Sequence, residues 1–456
     1  MDHPKPFQLE GIDFLAARDF AILGDDAGLG KSMQMIRASE QRNFSRILVL
    51  CPAIGRVSWA IQFRTWLSKP RPVYTYPNDT AGLIPPGPLA LIVTIDWLQN
   101  PRNAAKLIKA LRTADPFGVA FVDEAHYLKN PEANRTRAVY GNKLDLARSV
   151  LERCRAVWLA TATITPNHVG ELYPHLRGLF GPMLLQLFAN EMPSDHDFKM
   201  RFTNMRHTNF GWQIDGNDRK EIPALRDALR PYFLARLKRD VLPDLDPITQ
   251  VLLPLEVQDK GDPIDARLAA LLQTAEGTAL NDLLDDEHVA SRRRALGELK
   301  ATAVIEWIKN LLQDPDKKLV VFAYHRSVLD KLQAAFAPKY GTARIDGSTP
   351  HSARLLAVDR FQNSPGCRLF LGQTLASNTS ITLTAAQDVL LLEPEWTPVQ
   401  NYQAISRCHR IGQAGSVTVY FAYAHGTVDE PIIKTLRRKA KDFMDLLGVD
   451  ISAGTI

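Results

Sequence analysis

Short apolar runs recur through the first part of the chain, at Phe20–Leu23, Ile47–Leu50, Leu89–Ile95, Val119–Val122 and Val157–Ala160. Most gaps between them are polar or amphipathic and long enough for a helix. Brief runs without polar alternation predict strands buried on both faces of a parallel sheet, with helices as crossovers. The second half repeats the scheme at Leu319–Ala323, Arg344–Ile345, Arg368–Leu371, Val389–Leu392 and Val417–Tyr423, so the expected fold is α/β with two lobes, each on a parallel sheet.

Between roughly residues 179 and 299 the pattern changes to stretches rich in Leu, Asp and Arg, broken by prolines at 182, 193, 223, 231, 243 and 247. Ile222–Leu237 and Ala266–Leu284 read as helices, and Arg292-Arg293-Arg294 forms a small basic cluster, suited either to a solvated spacer or to a nucleic-acid grip. The expected division is therefore a first lobe over 1–178, a helical insertion and linker over 179–299, and a second lobe over 300–456. The second lobe closes on a basic amphipathic helix, Val428–Leu447.

A chain of 456 residues exceeds one ordinary core, and 45% hydrophobic with 23% charged residues is a globular composition. No segment approaches the ~20 apolar residues that span a bilayer, and the opening lacks a signal peptide's apolar core, so a cytosolic or nucleoid location and no membrane partner are expected. Cys51, Cys154, Cys367 and Cys408 show no C-x-x-C spacing, which argues for reduced thiols and against a disulfide framework or zinc site. A net charge of +5 suits a polyanion partner without selecting one.

Candidate chemistry begins at Gly24-Asp25-Asp26-Ala27-Gly28-Leu29-Gly30-Lys31-Ser32, between an apolar run and the helix-like Met33–Ser39. Glycines at a strand-to-helix turn let backbone N–H groups converge on phosphate; Lys31 can reach terminal phosphates and Ser32 can ligate magnesium. Asp25 stands where the phosphate-loop pattern has its first glycine. Phe121-Val122-Asp123-Glu124-Ala125-His126 ends a strand in paired acids, Asp123 to hold magnesium and Glu124 to orient and deprotonate an attacking water. Gln8, upstream of the loop, carries an amide able to read an adenine edge and so to select ATP. In Gln403-Ala404-Ile405-Ser406-Arg407-Cys408-His409-Arg410-Ile411-Gly412-Gln413, two arginines three apart share a face if helical, and guanidinium groups stabilise a transferring phosphoryl group.

Taken in order, Gln8, Gly28–Ser32, Asp123–His126, Thr161-Ala162-Thr163 and Gln403 to Gln413 resemble the motifs of superfamily-two helicase motors, and more narrowly of the Swi/Snf-related DNA translocases. Ser58-Trp59 to Trp66, Tyr127-Leu128-Lys129-Asn130, Glu171-Leu172-Tyr173, Leu237 to Leu242, Ile345 to Thr349, Phe361-Gln362 and Trp396-Thr397-Pro398 extend the resemblance from about residue 4 to residue 445. Phe210-Gly211-Trp212 with Gly216, Arg236 to Arg239 and Asp123 to Asn130 are similar to the annealing-helicase, fork-remodelling branch.

The resemblance implies two RecA-like lobes with ATP and magnesium between them and duplex or forked DNA across both. It places Gln8, Gly28, Gly30, Lys31, Ser32 and Gln403 at the nucleotide, Ser32 and Asp123 at magnesium, Lys31, Asp123 and Glu124 in hydrolysis, and Arg407 and Arg410 as groups reaching in from the second lobe. His126, Thr161 and Thr163 would couple nucleotide to DNA, and Pro52, Thr94, His325, Thr374, Ser377 and Asn378 would touch the DNA backbone. The chain departs from the family at Ala162 and Ile164 (usually T-G-T-P), at Asn378 and Ser380 (commonly glycines) and at Thr397. The expected protein is a monomeric, sequence-independent duplex translocase of the DNA-repair type, directed by a protein partner or by DNA structure. A strand-separating DNA or RNA helicase and a catalytically decayed DNA-binding scaffold are the alternatives.

Overall fold

The computed structural model describes residues 3–162, 164–165, 168–208, 211–259, 265, 287–374, 381–395, 398–427, 429–430 and 433. The chain divides into two compact units, one of residues 1–205 with 216–241 and the other of 206–215 with 242–456.

The first unit is built on a seven-stranded sheet in the order β3-β4-β2-β5-β6-β1-β9. Its strands are β1 (Phe20–Leu23), β2 (Arg46–Cys51), β3 (Val73–Thr75), β4 (Leu89–Thr94), β5 (Phe117–Asp123), β6 (Cys154–Ala160) and β9 (Phe233–Leu234), and every pairing is parallel. Helices α1 (Pro6–Ala16), α2 (Lys31–Gln41) and α3 (Arg56–Trp66) cover one face. There Ile47, Val49, Ile92, Val119, Phe121 and Trp158 pack against Leu15, Met35, Trp59 and Phe63. Leu48, Leu50, Leu91, Val122 and Leu159, alternate positions that point to the opposite face, are buried as well. Burial on both faces is what the unbroken apolar runs encode.

The second unit carries a six-stranded parallel sheet, β10-β15-β14-β11-β13-β12. Its strands are β10 (Thr249–Leu255), β11 (Leu319–Ala323), β12 (Thr342–Ile345), β13 (Leu369–Gln373), β14 (Asp388–Leu391) and β15 (Thr418–Ala424). Val320, Phe322, Phe370 and Val389 pack into one core cluster, and Leu319, Val321, Leu371 and Leu390 into another.

The segment 179–299 departs most from expectation. It is shared between the units, the first unit running on through residue 205 and taking up 216–241. It contains β strands: a two-stranded sheet of β7 (Thr203–Thr208) and β8 (Gly211–Asn217), then β9 and β10. The helix expected over 222–237 stops at Leu229, because Pro231 cannot continue it, and the chain then lays Phe233 and Leu234 beside Ile22 and Leu23 of β1. β10 contains Pro254, which a sheet tolerates at an edge, and β10 is an edge strand.

The basic cluster is internally paired: Arg292 is buried against Asp259 and Asp265, Arg293 meets Glu395 at 3.5 Å and lies over the Tyr324 ring, and Arg294 meets Glu298 at 3.2 Å. Arg292 is thus a buried structural charge, while Arg294 stays exposed in a surface pair with Glu298. The helix expected over 266–284 lies outside the described residues, and so does that over 428–447 apart from residues 429, 430 and 433. Among the described residues, no helix is long and apolar enough to cross a membrane.

Candidate active site

Because the strands of the first sheet are parallel, their carboxyl ends share one edge. Five sequence motifs arrive there. The loop Gly24–Gly30 leaves β1, Pro52 leaves β2, Thr94 ends β4, Asp123 ends β5 and Thr161 follows β6. Register sets their height: Leu23 is level with Ala160, and Ala160 with Asp123, so the phosphate loop and the paired acids stand side by side with β6 between them. Open α/β sheets bind ligands outside such carboxyl ends. The segments that follow β2 and β4 are joined where the Asp96 carboxylate accepts from the Ala53 amide at 2.7 Å.

Gly28 and Gly30 take φ of 89° and 82°, the left-handed region that favours glycine. At Gly30, a Cβ would lie 2.6 Å from the amide nitrogen of Gln8. Gly30 is the N-cap of α2, so Lys31 and Ser32 open the helix and its first N–H groups face the loop. The Lys31 ammonium donates to the carbonyls of Asp25 at 2.7 Å and Asp26 at 3.2 Å. Gln8 is buried; its amide donates to the Leu29 carbonyl at 3.0 Å and accepts from the Lys5 backbone at 2.9 Å, which seats it directly on the loop.

The acids are held by the core beneath them. Phe121 stacks on Trp158 at 5.8 Å, Trp59 leans on Phe121 at 5.6 Å, and the Trp59 indole N–H donates to the Asp123 carboxylate at 2.7 Å. Burial first, then the neighbouring Glu124 carboxylate, push the Asp123 carboxyl up to about 6, while the Trp59 hydrogen bond and the Lys31 charge act the other way. A carboxylate crowded in this way is one that a cation stabilises in its charged form, so Asp123 fits a magnesium ligand. Glu124 adopts a left-handed backbone with φ 50°, directly after β5 ends at Asp123. His126 Nδ1 lies 3.3 Å from the Glu124 carboxylate and 3.1 Å from the Thr161 hydroxyl, which joins the acidic motif to the motif after β6. Ala162 and Ile164, where the chain departs from the family pattern, are both buried apolar residues. Thr163 lies outside the described residues.

The second unit repeats the arrangement. His325 follows β11, Asp346 follows β12, Thr374 follows β13 and Glu393 follows β14. The Glu393 carboxylate accepts from the Tyr324 and His325 amides at 3.0 and 2.9 Å and meets the His325 ring at 2.7 Å. Thr374 donates to the Ala323 carbonyl at 3.3 Å. Gln403 is buried in the helix Pro398–Ile405. That helix ends before the arginines, so Arg407 and Arg410 sit on the following turn and not on one helical face. The Arg407 carbonyl accepts from the Leu383 amide at 2.8 Å, and the Arg410 guanidinium donates to the Ile381 carbonyl at 3.3 Å. Ser377, Asn378, Ser380, Trp396 and Thr397 lie outside the described residues.

Residue-by-residue reading missed Arg236, Gln34 and Glu393 and gave Trp59 no role. Gln34 had a local signal, one helical turn past Lys31 in α2. Arg236 appears among the motif residues, but nothing local tied it to the phosphate loop, some two hundred positions away, that it contacts.

A family model described as SNF2-related domain matches residues 7–263, and one described as helicase conserved C-terminal domain matches residues 302–412. The chain is 29% identical over 440 residues to "SWI/SNF-related matrix-associated actin-dependent regulator of chromatin subfamily A-like protein 1" of Xenopus tropicalis, covering 96% of this chain and 44% of that protein. It is 30% identical over 448 residues to "DNA annealing helicase and endonuclease ZRANB3" of Mus musculus, covering 96% of this chain and 40% of that protein. The chain thus spans less than half the length of these two curated relatives.

Proposed function

The chain belongs to the SNF2-related family, and from that premise we propose that it is a DNA-dependent ATPase that moves along duplex or forked DNA and remodels DNA structures or protein–DNA complexes without obligatory strand separation. The observation that supports this reading is the shared height of the phosphate loop and the paired acids on one sheet edge, with the Lys31 charge near Asp123.

In this reading Gln8 and Gln403 serve the nucleotide, and Gly28, Gly30, Lys31 and the first turn of α2 hold its phosphates. Ser32 and Asp123 hold magnesium, which neutralises phosphate charge in phosphoryl transfer. Glu124 orients and deprotonates the attacking water, and Arg407 and Arg410 stabilise charge on the transferring group. His126 is well placed to report the state of Glu124 to Thr161. Pro52 and Thr94 on the first sheet edge and His325 and Thr374 on the second serve the DNA backbone. Contacts of that kind are insensitive to sequence and weaken steeply with salt. The kinship with a protein named as a DNA annealing helicase supports DNA as the substrate.

Steady-state ATP hydrolysis without nucleic acid, then with single-stranded, duplex and forked DNA and with RNA, each at 50 and 200 mM salt, tests the proposal. Strong stimulation by duplex or forked DNA that fades with salt is expected, together with its loss in Glu124→Gln. Stimulation by RNA or single strands alone would overturn the duplex translocase, and a Glu124→Gln variant at full rate would remove Glu124 from its role.

A further inference from the structure

Asp25 occupies the place where a phosphate loop usually has its first glycine, and it is the most deeply buried charge in the loop. Its side chain is 0% exposed and faces Arg236, itself 9% exposed, in a two-pronged pair: Nε to Oδ1 at 2.9 Å and Nη2 to Oδ2 at 2.6 Å. The same guanidinium donates to Gln34 Oε1 at 2.9 Å, to the Phe7 carbonyl, and to Glu10 at 3.3 Å. Gln34 in turn donates to Asp25 Oδ2 at 3.0 Å and to the Leu29 carbonyl at 3.2 Å, the carbonyl that Gln8 also holds. The cluster leaves no spare volume, since a Cβ on Gly11 would fall 1.8 Å from Gln34 Oε1 and 2.6 Å from Arg236 Nη2.

The backbone repeats the connection. Gly24 N–H donates to the Leu234 carbonyl at 2.7 Å, Asp26 N–H to the Arg236 carbonyl at 2.9 Å, and Lys238 N–H to the Asp26 carboxylate at 2.9 Å. The two carbonyls that seat the Lys31 ammonium, those of Asp25 and Asp26, are therefore located by Arg236, one through the Asp25 side chain and the other through the Arg236 backbone.

We infer that Arg236 is a positioning residue for the nucleotide phosphates: through Asp25 and Gln34 it sets the shape of the loop that holds Lys31 and receives ATP. The inference rests on the reading of this loop as an ATP site. A buried carboxylate stripped of its cation is strongly unfavourable, so removing Arg236 alone forces the loop to rearrange, whereas removing both charges relieves that pressure.

Titration of each full-length variant with a fluorescent ATP analogue and magnesium, alongside thermal unfolding, tests it. Arg236→Gln is expected to weaken analogue binding at least tenfold and to raise KM for ATP more than it lowers kcat. Asp25→Asn combined with Arg236→Gln is expected to bind at least threefold tighter than Arg236→Gln alone. Arg236→Lys, which keeps the charge and loses the fork, falls between wild type and Arg236→Gln and serves if Arg236→Gln does not fold. Binding within twofold of wild type in a destabilised Arg236→Gln, or a double variant no better than the single, would overturn the positioning role while leaving the ATP site standing. No analogue binding by the unaltered chain would overturn the ATP site and this inference with it.

Discussion

Two residues show how the core reaches into the chemistry. Trp59 is an aromatic core residue whose one polar atom supplies the Asp123 carboxylate with a hydrogen bond. Trp59→Phe keeps the packing against Phe63 and Phe121 and deletes the N–H. A hydrogen bond to a charged group is worth about 1.5–3 kcal/mol, so kcat for ATP should drop at least about tenfold with nucleotide binding retained. Steady-state kinetics beside an ATP titration decide it, and an unchanged kcat would leave Trp59 as packing alone. His175 is fully buried against the Tyr140 hydroxyl at 2.8 Å. Burial first, then the charge of His126, hold its proton affinity down to about 3. In the unfolded chain histidine titrates near 6.5, so between pH 6.5 and about 3 the unfolded state binds a proton that the fold refuses. Stability contributed by neutral His175 is complete above that window and is lost as pH falls through it, at up to about 1.4 kcal/mol per pH unit. Urea unfolding at pH 7, 6 and 5 should show a shallower acid decline for His175→Gln than for wild type; parallel declines would assign the acid sensitivity elsewhere.

At the scale of the element, the junction of β1, the phosphate loop and α2 is the most constrained piece of the first unit. Gly30 has a left-handed backbone and no room for a methyl beside Gln8. Gly30→Ala is expected to cost about 1 kcal/mol or more in stability and to weaken ATP binding at least fivefold, because the added carbon either displaces the Gln8 amide or bends the helix start. Calorimetry and nucleotide titration measure both, and wild-type affinity in this variant would show that the loop adjusts freely. The strands around it were legible as apolar runs, and the loop as a glycine pattern ending a run. Strand β9 was not legible. Two residues after a proline carry no periodicity, and they become a strand only because β1 presents an open edge. β10 was hidden inside a stretch read as insertion and linker, and its own Pro254 is tolerated because the strand lies at an edge.

For the whole molecule, the first unit takes back residues 216–241 after the chain has left it, and those residues carry β9, Arg236 and the amide of Lys238. A fragment of residues 1–178 is therefore expected to aggregate or to bind no ATP analogue, while a fragment of 1–241 folds and binds it; circular dichroism and titration of the two fragments give the answer, and equal behaviour would show that the returning segment is dispensable. The sequence by itself determined the α/β class, the repeated parallel-strand scheme and the order of motifs, because apolar runs and glycine turns are local physical demands written within a few residues. It also placed Lys31, Asp123 and Glu124 as a candidate set, since each ends or follows a strand. Only the tertiary structure decided that the phosphate loop and the paired acids stand at one height, that Trp59 holds Asp123, that Arg292 is buried between Asp259 and Asp265, and that Asp25 is answered by Arg236. Register between strands and pairing between charges some two hundred residues apart depend on which surfaces meet in the folded chain, and no local pattern carries that information.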